Sequence, residues 1–369
     1  MGALKDIYSA AFYNKLSQAL TQSLPDFNKA EFQALILTDQ FLQMELKKRM
    51  RHTTLVLHQF MPARYPDAVD VIFRIITALR QQGQNNDALA YIFLPDYLEV
   101  YGLDDLETSI KAMEFVTQFI SCEFGIRSFI IRYPEQMMSQ LFKWSLHKSA
   151  SVRRLASEGS RPRLPWAIAI PKLKDDPSPL LPILENLKND PSEIVRRSVA
   201  NNLNDISKDN PAVTIQIAKA WAGKTKETDA IIKHACRTLL KQGHSEMMSH
   251  YGLDTVGLVI EDFKISTPEV AIGAALGFSF RIRNTTDLPK MVRLEYGLYY
   301  YKANKTLSRK VFKISERIYP AGDCVFIERK QSFKLITTRV FYPGPHELSL
   351  IVNGVEHKHN SQKFNVIPS

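Results

Sequence analysis

Apolar side chains recur at helical spacing through the first two thirds of the chain and at alternate positions through the last third. Phe27, Phe32, Leu35 and Ile36 open one helical stripe, Val56, Leu57 and Phe60 a second, and Val69, Ile72, Phe73 and Ile76 a third. Phe115, Phe119 and Ile120 line a further helix that runs into Ser121-Cys122-Glu123-Phe124. These positions predict a helical core. A weak internal repeat runs through the same region. Val152-Arg153-Arg154 recurs as Val195-Arg196-Arg197, an offset of 195 − 152 = 43, and again as Ile232-Lys233-His234, an offset of 232 − 195 = 37. Polar turns at 147–149, 189–192 and 226–228 go with the three copies, and an apolar run at 180–187 precedes the second. Repeats of this length predict paired helices, each burying its apolar face only against its neighbours.

The period changes after Gly252. Short β-branched and aromatic runs cover 258–265, 275–283, 292–301, 307–314, 324–333 and 347–352. Phe278, Phe280 and Ile282 alternate with polar residues, as do Leu348, Leu350 and Val352, and Asn353-Gly354 is a hairpin turn signal. The expected fold is multidomain and mainly α. A HEAT-like α-helical repeat solenoid over residues 1–255 precedes an all-β immunoglobulin-like antiparallel sandwich of about seven strands over 256–369.

The densest candidate chemistry lies in Ser151–Trp166, SVRRLASEGSRPRLPW, with four arginines, Glu158 and Trp166 in sixteen residues. Val152, Leu155 and Ala156 give a helix with a buried face, and Gly159, Pro162 and Pro165 stop it, so the arginines from Ser160 onward fall in a fixed loop. Forked guanidinium donors suit phosphate oxygens, and an indole offers a flat face to a base or sugar. Arginines on a helix also suit a solvated face, and a glutamate among them an ion pair.

Charge narrows the partners. Lys+Arg 48 against Asp+Glu 38 leaves a net +10, which favours a polyanion or an anionic membrane surface. Lys5 and Asp6 interrupt any signal-peptide core, and the least polar run, 270–280, is too short for a membrane span and carries two glycines. Cys122, Cys236 and Cys324 are far apart and odd in number, which points to free thiols in a reducing compartment without structural zinc. His357 and His359 are read as exposed residues, and no nucleotide loop, zinc-protease helix or nucleophile elbow is present.

ASEGSRPRLPW resembles the signature of the AlkC branch of the AlkC/AlkD DNA glycosylases, HEAT-like repeat proteins that remove alkylated bases from DNA. SCEFGIRSF is similar to that family's S-x-E-F-x-x-R-x-F segment, and RRSVANNLNDISKDNP to its V-R-x-S-V-A-N-N-L-N-D-I-x-K-D motif. An Ig-like tail accompanies one subgroup of the branch. The resemblance implies that Glu123 and Asp205 contact the damaged nucleotide and the water, that Glu158 completes an acidic cluster, and that Trp166 leans on the sugar or base. Arg154 and Arg163 would hold phosphates, with Arg127, Arg153, Arg161, Arg196 and Arg197 as further DNA-binding candidates. Gly125 and Ser128 depart from the family segment, and a glycine inside a helix would weaken it by about 1 kcal/mol relative to alanine.

Read without the resemblance, Glu123 pairs with Arg127 one helical turn away, Asp205 ends a helix, and Asn201 and Asn202 are caps. Hydrolysis of an N-glycosidic bond develops positive charge on the sugar, which a carboxylate can stabilise while it positions water. The expectation is a monofunctional glycosylase acting as a monomer, without cofactor or metal, on double-stranded DNA containing alkylated bases. The lesions are N3-methylated bases, 3-methyladenine and 3-methylcytosine, met without a deep pocket for an extruded base. No lysine within the motifs is read as a Schiff-base nucleophile. The location is the cytoplasm at the nucleoid, and no membrane is involved. The alternative is a non-catalytic repeat scaffold that binds nucleic acid or an acidic protein. The C-terminal unit adds basic and aromatic residues, Arg281, Arg283, Lys290, Arg293, Tyr299, Tyr300, Tyr301 and Lys302, equally suited to a solvated face or a DNA clamp.

Overall fold

A computed structural model describes residues 3–84, 88–335 and 340–368. The chain divides into two compact units, 1–235 and 236–369. The first is helical. Helix Tyr65–Gln81 shows how it is built: a proline in its first turn, Asp67 near the start and Arg80 near the end suit the helix dipole. It buries Val69, Ile72 and Ile76 from the expected stripe, and Val71, Ile75 and Leu79 besides. Each such side chain contributes roughly 1.5–3 kcal/mol relative to exposure. Phe32 and Ile36 are buried on helix Lys29–Ile36, while Leu35 is exposed. Helix Leu106–Val116 stops before Phe119 and Ile120, which reach the core from the turn that follows.

The repeat at offset 43 is structural. Helix Ala150–Glu158 and helix Glu193–Asp209 carry Val152 and Val195 at the same place, the third residue, and both are fully buried. Arg153 Nη1 reaches back to the carbonyls of His147 (2.8 Å) and Lys148 (2.9 Å). Arg196 Nη1 makes the same reach to Asp190 (2.6 Å) and Pro191 (3.0 Å). Arg153 also binds the Asp190 carboxylate through Nε (2.5 Å) and Nη2 (3.0 Å), which ties one repeat to the turn of the next. The third copy is not equivalent. Ile232 lies near the end of helix Lys226–Ala235, and residues 226–228 belong to the helix instead of the turn before it. Two basic pairs therefore occupy matching places, and Lys233-His234 does not extend the series.

The second unit begins with helices Arg237–Gln242 and Ser245–His250, so its compact boundary precedes the change from helix to strand. Strands β1 (Leu258–Ile265), β2 (Glu269–Ala271), β3 (Ala275–Asn284), β4 (Lys290–Tyr301), β5 (Leu307–Tyr319), β6 (Cys324–Ser332), β7 (Gly344–Val352), β8 (Val355–Glu356) and β9 (Gln362–Ile367) follow. One sheet has the order β1-β3-β6 and the other β2-β9-β7-β4-β5, with β8 on β7. All pairs are antiparallel except β2 with β9, which run parallel. The two alternating trios named in the sequence, Phe278/Phe280/Ile282 and Leu348/Leu350/Val352, lie in the core between the sheets. Asn353 and Gly354 both take positive φ (46° and 77°), as a two-residue hairpin turn requires. The short β2, β8 and β9 carry too little pattern to be read from sequence.

Candidate active site

Three segments of the helical unit meet at the site: the turn 121–125, helix Ala150–Glu158 with the loop behind it, and helix Glu193–Asp209. Their assembly depends on Arg127, whose guanidinium is wholly buried. Its Nη1 donates to the carbonyls of Gly159 (3.0 Å) and Arg161 (2.7 Å), and its Nε to that of Ile168 (2.5 Å). It therefore holds the arginine loop at both ends. Burial, then the neighbouring Arg161 charge, pushes its pKa down to about 10, while Asp205, Glu123 and Glu158 all oppose the shift. One buried cation thus feels all three candidate carboxylates.

Those carboxylates differ in their surroundings. Arg161 sits between two of them, its Nε 2.8 Å from Asp205 and its Nη1 2.6 Å from Glu158, with all three groups buried. Burial acts to lower the Arg161 pKa and is outweighed by these partners, so the net shift is upward. Asp205 also accepts from Lys208 Nζ at 2.8 Å. Lys208, the lysine of the third motif, is held in an ion pair with Asp205. Glu123 is the accessible member. It accepts from Ser121 Oγ (2.9 Å) and forms an ion pair with Arg154 Nη1 (2.8 Å), which itself donates to Ser121 (3.0 Å). Glu123, Arg154 and Ser121 line a cavity of about 370 Å³ together with Ser151, Ser192 and Ile194.

Several expectations are corrected. Glu123 pairs with Arg154, whereas Arg127 turns its donors to carbonyls, so Arg127 has no donor to offer a phosphate. Arg153 and Arg161 are likewise spent on Asp190 and on the Glu158–Asp205 pair. Asn201 and Asn202 are interior to their helix and cap nothing. Asn202 Nδ2 donates to the Ser157 carbonyl (2.8 Å), and the Asn201 side-chain oxygen meets His234 (3.0 Å). Asp205 is also interior to that helix. Gly125 lies in the turn ahead of helix Ile126–Arg132, where a Cβ would sit 2.6 Å from the Pro95 carbonyl oxygen. The glycine is therefore a requirement of close packing beside Glu123, and no helix interior is weakened. Ser128, the other departure, donates to Glu99 (2.6 Å).

The remaining basic candidates are more open. Arg163 is exposed and binds Asp209 through both arms of its fork (2.9 and 2.6 Å). Arg196 and Arg197 border the next groove, about 340 Å³, between helices Glu193–Asp209 and Lys226–Ala235, where Arg197 stands one repeat on from Arg154. Arg197 is exposed and has no hydrogen bond or ion pair among the described residues. Trp166 is 60% exposed, whereas Trp144 and Trp221 are buried with their indoles on Glu114 and Glu185. Its φ of 66° costs a non-glycine residue about 1–3 kcal/mol, and the Lys47 ammonium binds its carbonyl. The exposed indole lines a cavity together with Asp96 and Glu99.

Among the described residues no cluster of three or more His, Cys, Asp or Glu could hold a metal ion. All three cysteines are free. No described helix is long and apolar enough to cross a membrane. In the second unit, Arg281 pairs with Asp262 (3.2 Å), Arg283 with Glu261 (2.9 Å) and Lys290 with Asp254, while Arg293 is buried between Glu295 and Glu316. Tyr300 is buried and Tyr299 donates to Glu356 (2.7 Å).

Residues 259–367 match the family model for the C-terminal Ig-like domain of the uncharacterised protein YhaZ, and residues 180–209 match the HEAT repeat. The chain is 43% identical over 355 residues to YhaZ of Bacillus subtilis (strain 168), covering 96% of this chain and 97% of that protein. The structure of Pseudomonas fluorescens alkylpurine DNA glycosylase AlkC bound to DNA containing an abasic site analog is similar throughout. Its TM-score is 0.92 at 31% identity, over 99% of this chain and 100% of that one.

Proposed function

The chain belongs to the AlkC branch of the HEAT-like repeat alkylbase DNA glycosylases, and on that premise we propose that it hydrolyses the N-glycosidic bond of N3-alkylated bases in DNA. The observation that carries the reading is the pairing of an accessible Glu123 with a buried Glu158–Arg161–Asp205 bridge around one clamping arginine. A pure DNA binder gains nothing from an accessible carboxylate such as Glu123 in a cavity that an arginine also lines.

An N3-alkylated base carries positive charge on its ring and leaves without an acid to protonate it. As its bond to C1′ breaks, the electron pair goes to the base and the sugar gains oxocarbenium character. Glu123 stabilises that charge and accepts the proton of the water whose oxygen bonds to C1′. Ser121 and Arg154 fix its orientation, while Glu158 and Asp205 offset the charges of Arg161 and Lys208 behind it, so those cations do not oppose the developing charge. Arg154, Arg163 and Arg197 are the phosphate contacts and Trp166 covers the sugar or base. Arg127, Arg153 and Arg161 serve to position these groups. With Lys208 paired to Asp205, the reaction ends at the abasic site without strand cleavage. The protein acts as a monomer on double-stranded DNA at the nucleoid.

Incubation with DNA containing 3-methyladenine or 3-methylcytosine is expected to yield free base and intact abasic strands. Asp205→Asn is expected to abolish release and keep DNA binding; release at the native rate by that variant would remove Asp205 from the mechanism. Absence of release by the native protein at low salt would leave the scaffold reading.

A further inference from the structure

A further cavity, about 270 Å³, is lined by neither Glu123, Glu158 nor Asp205. Two of its walls are continuations of the site described above. Phe124 and Gly125 directly follow Glu123, and Trp166 to Ile168 end the loop that carries Arg161 and Arg163. Helices Leu46–His58 and Phe93–Gly102 supply the rest. Met50, Ile92, Pro95, Phe124 and Ile168 make most of the lining apolar.

The polar groups are few and differ in availability. Asp96 is occupied by both arms of Arg51 (2.8 and 2.9 Å) and by Thr54 (2.7 Å). Lys47 is held on the Trp166 carbonyl, with its ammonium 6.0 Å from the centre of the Phe124 ring. Glu99 gives one carboxylate oxygen to Ser128, and the other accepts no hydrogen bond among the described residues. The cavity thus offers apolar walls, an exposed indole at one side and one uncommitted anionic acceptor. Those are the requirements of a flat heterocycle with N–H donors on its edge. A phosphate or sugar phosphate would meet apolar walls, two carboxylates and two cations already held, Arg51 by Asp96 and Lys47 by the Trp166 carbonyl.

We propose that this cavity holds the freed alkylated purine after the glycosidic bond has broken, an inference that rests on the glycosylase reading. The leaving base passes from Glu123 across Phe124 and is retained against Trp166, its edge donor on Glu99. This is a site for product at the side of the catalytic segments, distinct from a deep pocket that would extract a base before cleavage.

The test is calorimetric titration of the full chain with free 3-methyladenine, read in parallel by tryptophan emission, since Trp166 is exposed while Trp144 and Trp221 are buried. One-to-one binding with quenching that disappears in Trp166→Phe is expected. Ala167→Leu, which narrows the cavity at a half-buried wall position, is expected to weaken binding roughly tenfold, with the melting temperature as a check on folding. Glu99→Gln keeps a partner for Ser128, removes the anion and is expected to weaken binding by about the same factor. No saturable binding by the native protein overturns the proposal, as does native affinity in both Ala167→Leu and Glu99→Gln. Base release from methylated DNA by the same preparation separates the two readings. Release without binding of free base keeps the glycosylase and removes this site; binding without release keeps a purine site and removes the glycosylase.

Discussion

Each unit buries one arginine between two carboxylates. In the helical unit Arg161 bridges Glu158 and Asp205, and in the β unit Arg293 bridges Glu295 (2.6 Å) and Glu316 (2.8 Å). The local chemistry is nearly the same, and burial lowers while the carboxylates raise the pKa of each arginine, with a net upward shift in both. The surroundings are not. Arg293 and Glu295 lie on β4 with Glu316 on the paired β5, where the register fixes them side by side. Arg161 stands in an irregular loop clamped by a second buried arginine, with Glu123 and a 370 Å³ cavity in the same assembly. A buried ion bridge is thus no mark of function by itself. What separates the two is whether an accessible carboxylate, here Glu123, lines a cavity with an arginine in the same assembly.

The sharpest way to break the comparison is to neutralise one carboxylate in each unit. Glu123→Gln is expected to lower base release roughly 10²–10⁴-fold with DNA binding retained, whereas Glu295→Gln leaves the rate per folded molecule unchanged. Equal losses in both would show that release reports folding instead of chemistry. Next in size, Arg161→Ala and Arg293→Ala each strand one buried carboxylate, Glu158 and Glu295, while Lys208 and Lys313 stay on Asp205 and Glu316, and each is expected to cost about 3–5 kcal/mol in urea unfolding. Only Arg161→Ala should also lose activity under conditions where the protein remains folded. Milder substitution resolves the phosphate contacts. Arg154→Ala is expected to reduce the slope of log K against log salt by about 0.9, a single phosphate, and Arg281→Ala to leave it unaltered.

The smallest effect concerns an exposed pair. Arg163 holds the Asp209 carboxyl below its ordinary value of 3.8. A depressed acid contributes stability above its unfolded value and loses it as pH falls through the folded one, so Asp209→Asn should flatten that loss below pH 3.8. Solvent screening keeps the contribution under about 1 kcal/mol, and a larger change in unfolding midpoint would place Asp209 in a tighter network than its exposure indicates.

The proposed carboxylates and Trp166 stand out in the sequence because they lie in long motifs of unusual composition. The roles of the arginines were not. Arg153 and Arg154 are adjacent in sequence, yet helical geometry sends one back to the carbonyls of its own turn and the other across to Ser121 and Glu123. Ser121 was already present in the S-x-E pattern, and its partner Arg154 in the repeat; nothing in either segment said that they meet. Asp190, Asp209 and Glu99 gave no local signal for the arginine and serine partners they meet 29 to 46 residues away.

By itself the chain specified a helical repeat, a β sandwich, and the residue types at the site, because periodicity, turn residues and motif composition are local properties. Only the folded structure decided which arginines are clamps and which remain open, why Gly125 has no side chain, and that a cavity lies behind Trp166. Each of those depends on which distant carbonyl or carboxylate a side chain meets once burial has removed water as the alternative partner.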